Sequence, residues 1–447
     1  MLRTTTRVFR LRESFWLVPT LFSTAALLFA LLTAWLDDEL QLHGLGSEPL
    51  GYSGGADSAQ AFLITVAGSI ITVAATSFSI TIAVLALASA QFGPRLIRNF
   101  IRDVGNQIVL GTFLATFVYC LVVLRVVRGG EDEFVPYLSI AVASVLTLAS
   151  LGVLIYFIAH ISHTIQVMNI VARIGDDLLT TITRLYPEEI EGSQHEGFAQ
   201  AAEADALFAG PLRPVAARRS GYVRAIDYSR LLEIAESRGM RIQVPLRAGQ
   251  FVSRGAAFAE VVIDDGSLPD DKALAQAIAA SFDISVSRGS DQDIEYHIDQ
   301  LVEIACRALS PAINDPFTAM ACIDRLGAGL RYLVRREMPT AFLRDRAGVL
   351  RVVVKTETFP GSLDAAFNLI RQYGHQSVPV ALRLIENLAI IAEYTADPYE
   401  LEAIKRHADM VRHSAASLMS EPADLEALEE RYQLVVRSLE TPDFEAI

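Results

Sequence analysis

Lysine is close to missing from this sequence: Lys272, Lys355 and Lys405 are the only three among 38 basic residues, and none falls between Gly221 and Ile263. Cysteine is as rare. Cys120, Cys306 and Cys322 have no paired metal spacing, which excludes a zinc ribbon and leaves them as small buried hydrophobes. Positive charge is itself in deficit, at a formal net charge of -14. Nucleic acid is therefore not expected as a partner, because a phosphate backbone is normally met by a basic patch. No P-loop, dinucleotide fingerprint or zinc-protease helix is present. Gly51-Tyr-Ser53-Gly-Gly55 matches the nucleophile-elbow pattern but lies in a short loop with no strand before it, a coincidence. Neither an enzyme nor a bound cofactor or metal is expected.

What the chain has in excess is apolar residues, 52% of the total with a mean hydropathy of +0.34, concentrated in the first third. Four apolar runs are long enough to cross a bilayer: residues 14–36, 59–90, 108–127 and 135–161. The first is too long for a signal-peptide core and lacks a small-residue cleavage site, so it is read as a retained span. Trp16 and Trp35, the only tryptophans, stand roughly 28 Å apart along it and suit interfacial anchors. Arg3, Arg7, Arg10 and Arg12 precede the first span, Arg95, Arg98 and Arg102 fill the loop after the second, and residues 37–57 hold no Lys or Arg. The positive-inside rule places both termini in the cytoplasm. Arg125 and Arg128 fall on the outer side against it, beside Glu131, Asp132 and Glu133.

A helical pattern continues beyond the fourth run with no breaker before Pro187, which predicts one helix of roughly 77 Å over 135–186. Ile161, Ile165, Met168, Ala172, Gly175, Leu179 and Ile182 recur along it as a packing seam, either against the chain's own cytoplasmic domain or as a stalk between subunits. Residues 1–190 thus form the membrane domain and the polar stretch 191–211 a linker. Residues 212–265 change period, with strands at 221–226, 240–246 and 257–263 around a helix at 229–237. That module resembles the barrel-sandwich domains of biotinyl and lipoyl carriers, but it has no lysine to carry a cofactor and serves as scaffold. Residues 266–447 read as a helical domain with one β-like interruption at 349–354. The expected fold is an α-helical membrane protein with four transmembrane helices and a cytoplasmic α+β part.

Three groups of residues stand out as candidate sites. Thr65, Ser69, Thr72, Thr76, Ser79 and Ala83, continued by Ala86 and Ala90, place a small or hydroxylated stripe on one face of the second span. In a bilayer such a face serves close helix packing or lines a watery passage. Arg95, Arg98 and Arg102 follow as a cationic collar that favours anions at the cytoplasmic mouth of a passage, or otherwise sets topology. Arg307 to Thr318 is the densest polar run of the cytoplasmic part, and Arg288, Gln292, Asp293, Arg307, Asn314 and Asp315 are the residues that could join in a buried polar network. Asp315 before Pro316 predicts an N-cap, and the rest form ion pairs or a small anion site. His160 and His163, three apart, are edge residues or share a metal or proton.

The run from Gly68-Ser-Ile-Ile-Thr-Val to Ser89-Ala-Gln-Phe-Gly-Pro-Arg95, then Gly105-Asn-Gln107, Thr116-Phe-Val-Tyr-Cys120 and Arg307 to Ala319, resembles a bacterial family of predicted membrane proteins, the domain of unknown function twenty-two fifty-four. The resemblance covers nearly the whole chain. It implies a bacterial inner-membrane protein with four spans and a cytoplasmic domain, and it implies no activity. Gly289 departs from the family pattern, which has Thr after the arginine. The expected function is a homo-oligomeric, channel-like or transport-related protein regulated by its cytoplasmic domain; the alternative is a non-conducting scaffold or signalling protein. Membrane lipids and further copies of the chain are the expected partners, with an unidentified ion or small solute.

Overall fold

Each of the four apolar runs forms a helix in the computed structural model, which describes residues 16–42, 54–92, 104–130, 133–164, 166–186, 203–204, 206–208, 212–263 and 272–440. They are α1 (Leu17–Leu42), α2 (Ala56–Phe92), α3 (Val104–Leu124) and α4 (Tyr137–Thr164). All four are long and apolar enough to cross a membrane. The chain divides into two compact units, Met1–Asn169 and Ile170–Ile447.

In the first unit α3 is central and packs against the other three spans. Its Val109, Phe113, Tyr119, Cys120 and Val123 meet Leu63, Val66, Ala67 and Ile70 of α2 and Ile140, Ala143 and Phe157 of α4. Since lipid is as apolar as these side chains, burial alone holds such helices weakly and polar ties matter more. Asp37 supplies one. Its buried carboxylate accepts from Leu138 N at 2.8 Å, Ser139 N at 2.9 Å and Ser139 Oγ at 2.6 Å, joining the end of α1 to the start of α4. Tyr119 Oη lies 2.8 Å from Thr33 Oγ1 and donates to Ser139 O, and Thr116 and Ser150 pair at 2.9 Å. Trp16 and Trp35 both point outward.

The single long helix expected over 135–186 is corrected to two. After α4, Gln166 is not helical, and α5 (Val167–Leu185) begins a separate helix belonging almost wholly to the second unit. The break falls where the residue pattern changes: α4 is apolar all round, whereas α5 alternates an apolar face with Arg173, Asp176, Asp177 and Arg184. The seam is corrected as well. Ile170, Val171, Ile174, Gly175, Leu178 and Ile182 are the buried face, while Met168 is exposed. That face packs on α9 (Pro316–Leu333) of its own domain, with Gly175 against Arg325 and Leu178 against Gly329.

The β-part of the second unit spreads beyond 212–265. Strands β1 (Arg213–Ala216), β2 (Gly221–Ile226), β3 (Met240–Val244), β4 (Phe251–Val252) and β5 (Ala257–Ile263) are joined by β6 (Phe282–Ser285), β7 (Phe342–Arg344) and β8 (Leu350–Val354). They make a five-stranded sheet in the order β1-β5-β3-β8-β7 and a three-stranded sheet in the order β4-β2-β6. Central β3 pairs antiparallel with β5 and parallel with β8. A self-contained barrel-sandwich module is therefore not what these strands build, since three of them come from beyond residue 265. Helices α6 (Tyr228–Arg238) and α7 (Lys272–Ala279) help close this core around Val223, Leu231, Ile242, Phe258, Ile278 and Val352.

The helical part comprises α8 (Glu295–Ala308), α9, α10 (Phe359–Gly374), α11 (Val378–Ala392), α12 (Pro398–Ala416) and α13 (Pro422–Glu440). Asp315, Thr358 and Asp397 cap α9, α10 and α12, each followed within two residues by proline, which fits a helix start because its missing N–H would be unpaired there. α9 and α11 approach so closely at Gly327 that an added Cβ would fall 1.8 Å from Asn387 Oδ1. The linker proposed at 191–211 lies mostly outside the described residues; within it, Glu203 pairs with Arg344 at 2.5 Å.

Candidate functional site

At about 100° per residue, Thr65, Ser69, Thr72, Thr76, Ser79, Ala83 and Ala86 share one side of α2, and Leu63, Val66, Ala67, Ile70, Ala74 and Ser77 the opposite side. The second set is buried in the bundle; every member of the first is exposed. The stripe therefore faces away from the bundle that α2 belongs to. Thr65, Thr72 and Thr76 donate to the carbonyls of Ala61, Gly68 and Thr72 at 2.7, 2.8 and 2.9 Å, so their protons are satisfied within the helix. Their oxygens still offer acceptor lone pairs to whatever covers the face. Ala90 and the collar of Arg95, Arg98 and Arg102 have side chains outside the described residues, as do Ser53 and His163. His160 stacks on Tyr156, with ring centroids 5.3 Å apart.

The polar group of the second unit is divided by the fold. Arg288 and Asp293, on the connection from β6 to α8, meet at 2.5 Å, with Asp293 fully buried. Arg288 also pairs with Asp299 and, at 3.5 Å, with Glu295. Arg247, after β3, brings in Glu295 at 2.6 Å and Glu357, which precedes α10. Gly249 makes room for this cluster: it sits at φ +86, and an added Cβ would fall 2.3 Å from Asp293 Oδ2. Gln292 bridges instead to β2, accepting from Ile226 N at 2.8 Å and donating to Ile226 O at 3.1 Å. Arg307 pairs with Glu303 one turn back on its own helix, at 3.2 Å. Asp315 accepts from Thr318 N at 3.1 Å and Thr318 Oγ1 at 2.6 Å, and Asn314 takes the left-handed conformation at φ 48 that turns the chain into this cap.

Two guanidinium groups thus face four carboxylates. Burial, reinforced by the charge of Glu295, pushes the Glu357 carboxyl up to about 8, so at neutral pH it holds a proton. Burial also raises Asp293 above the usual carboxylate range, against the pull of Arg288. Asp293, Glu295 and Glu357 each present an oxygen within 4.8 Å of the others, a spacing that could hold a metal ion. Arg247 and Arg288 already balance the charges of Glu295 and Asp293, and protonated Glu357 accepts a hydrogen bond from Arg247, which makes the cluster a lock of ion pairs and hydrogen bonds between sheet and helices. Arg247, Glu295 and Glu357 are missing from the sequence reading. Their one local signal is the Ala248-Gly249 turn; nothing in the spacing brings Glu357 to Arg247, 110 residues away.

The family model described as Predicted membrane protein (DUF2254) matches residues 12–389. The chain belongs to this family. It is similar to uncharacterized protein Rv1290c of Mycobacterium tuberculosis and uncharacterized protein Mb1321c of Mycobacterium bovis, each 30% identical over 381 residues, covering 84% of this chain and 72% of the relative. No solved structure matches. The family match ends within α11, so α12 and α13 lie beyond it.

Proposed function

We propose that this member of the family is a homo-oligomeric, channel-like or transport-related protein of the bacterial inner membrane, with both termini in the cytoplasm and the second unit as its regulatory part. The observation that carries this reading is the outward-facing hydroxyl stripe of α2. Five hydroxyls from Thr65 to Ser79 cover about 21 Å of helix, and their own bundle leaves them uncovered. Elsewhere the outward positions of the spans carry residues suited to lipid tails, such as Leu28, Leu148, Ile155 and Ile158. A second copy of the chain supplies the natural cover, and where copies meet around an axis the stripe lines a watery path. The arginines that follow α2 would then favour anions at the cytoplasmic mouth. The reading is non-enzymatic, with lipids, further copies and a small ion or solute as partners.

The alternative is a non-conducting scaffold in which the stripes of two copies pack directly. The threonine bonds to their own helix favour it, because a hydroxyl satisfied within its helix needs no water. Cysteine scanning of the purified oligomer in lipid separates the two. In a background lacking half-buried Cys306, a membrane-impermeant thiol reagent should modify cysteines at Thr72, Thr76, Ser79 and Ala83 but not at Ile80 or Ile82, which are equally exposed on other faces. Conductance in planar bilayers should accompany that pattern. Protection of every stripe position in an intact oligomer, with no conductance, would transfer the reading to the scaffold; a monomer in native mass spectra would defeat both.

A further inference from the structure

Inside the first unit, away from the stripe, a cavity of about 20 Å³ lies among Ser77, Phe78 and Thr81 of α2, Asn106, Val109 and Phe113 of α3 and Phe157 of α4. Asn106 is 5% exposed, and neither its Oδ1 nor its Nδ2 has a hydrogen-bond partner. A buried amide with both ends unpaired is costly in any apolar interior and more so within a membrane. Its neighbours are suited to completing it. Ser77 is itself buried, and the Thr81 hydroxyl donates to Ser77 O at 2.9 Å, which leaves its oxygen free to accept.

We propose that this cavity binds a single ordered water molecule, held by Asn106 and completed by the Ser77 and Thr81 hydroxyls. The donor set decides the class of ligand. A cation would be served by Asn106 Oδ1 and the hydroxyl oxygens but would leave Nδ2 unpaired, and no carboxylate among the described residues lines the space to balance its charge. A halide would be served by Nδ2 and a hydroxyl proton but would leave Oδ1 unpaired. Water both donates and accepts, and a cavity of about 10–15 Å³ with two to four polar partners is enough to hold it. The inference does not depend on the stripe conducting, since these residues lie on the packed side of α2.

Radiolytic footprinting of the full chain in nanodiscs tests it, because hydroxyl radicals formed from a bound water oxidise the side chains around it. Phe113 and Phe157, both buried, should be labelled several-fold faster than Phe258 and Phe367, equally buried in the second unit. Asn106→Leu, which fills the space and removes the amide, should bring Phe113 and Phe157 down to the Phe258 rate, with Ser77→Ala giving a partial loss. Labelling of Phe113 and Phe157 as slow as that of Phe258 in the wild-type protein would mean a dry cavity and overturn the proposal, whether or not the variants fold. An anomalous bromide peak beside Asn106 in crystals grown with bromide would also overturn it, assigning the site to a halide.

Discussion

Asp37 and Asp315 both cap helices, one in each unit, and they do so at very different range. Asp315 caps the helix it begins and reaches three residues ahead. Asp37 is buried and caps a helix that begins 100 residues later in the chain. The same contrast holds more widely. In the first unit Thr33, Tyr119 and Ser139, or Thr116 and Ser150, join different spans, whereas Asp227, Thr358 and Asp397 in the second unit each satisfy their own helix. Water drives apolar faces together in the second unit, so polar groups such as these caps are free for local work. In lipid that drive between helices is missing, and the scarce polar groups become the ties. The second unit also has ties between elements, among them the buried cluster around Arg288 and the buried His407 held by Asp364.

The strongest way to test that contrast is to break a buried tie of the second unit. Arg288→Ala should destabilise the second unit by about 3–5 kcal/mol, because it leaves Asp293 buried without its main partner. Hydrogen exchange in β3 and α8 would report it, and a loss below about 1 kcal/mol would show that the cluster does not lock the unit. A pH titration comes next. The Glu357 carboxyl is raised from 4.5 to about 8, so the folded unit binds a proton that the unfolded chain releases. Its contribution is complete below about 4.5 and is lost as pH rises to about 8, by roughly 5 kcal/mol at most. His297, depressed by burial to about 4, acts in the opposite sense between about 4 and 6.5, so the Glu357 slope is clearest above that window. Glu357→Gln should flatten it, and an unchanged slope would assign the titration elsewhere.

The smallest effects compare the two caps directly. Asp37→Ala should cost about 2 kcal/mol, at the upper end for a cap because the freed N–H and hydroxyl of Ser139 are buried; Asp315→Ala should cost about 1 kcal/mol and be largely restored by serine. Trp35, two residues from Asp37, gives a fluorescence signal for the first, and hydrogen exchange along α9 measures the second. Equal losses would erase the distinction between lipid and water drawn above.

The spans are legible in the sequence because a bilayer demands some twenty apolar residues in a row, and few other structures do. Some helix starts of the second unit are legible for an equally local reason, a capping residue followed by proline, as at Asp315-Pro316 and Asp397-Pro398. What stays hidden is pairing at a distance. β3 and β8 are parallel neighbours separated by a hundred residues, and alternation along each strand says which face is buried but not which strand lies beside it. Arg247 and Glu357 are hidden for the same reason, since they lie just past the ends of those two strands. The face of α5 is misread because its apolar positions allow two adjacent seams, and the choice between them is made by contacts with α9, such as Leu178 against Gly329. The stripe on α2 is visible as a pattern, but its outward direction depends on knowing that Leu63, Ala67 and Ala74 turn inward.

The reach of Asp37 also has a meaning in time. A ribosome adding about 5–20 residues per second needs roughly 5–20 s between making this carboxylate and making the backbone N–H groups of Leu138 and Ser139 that receive it. For that interval the first span carries an acid near one end with no lasting partner, so its settled depth and tilt are completed by the fourth. Biogenesis of the bundle is thus closed by its last helix, and a chain truncated before residue 138 should leave its first span more weakly anchored than the full protein does.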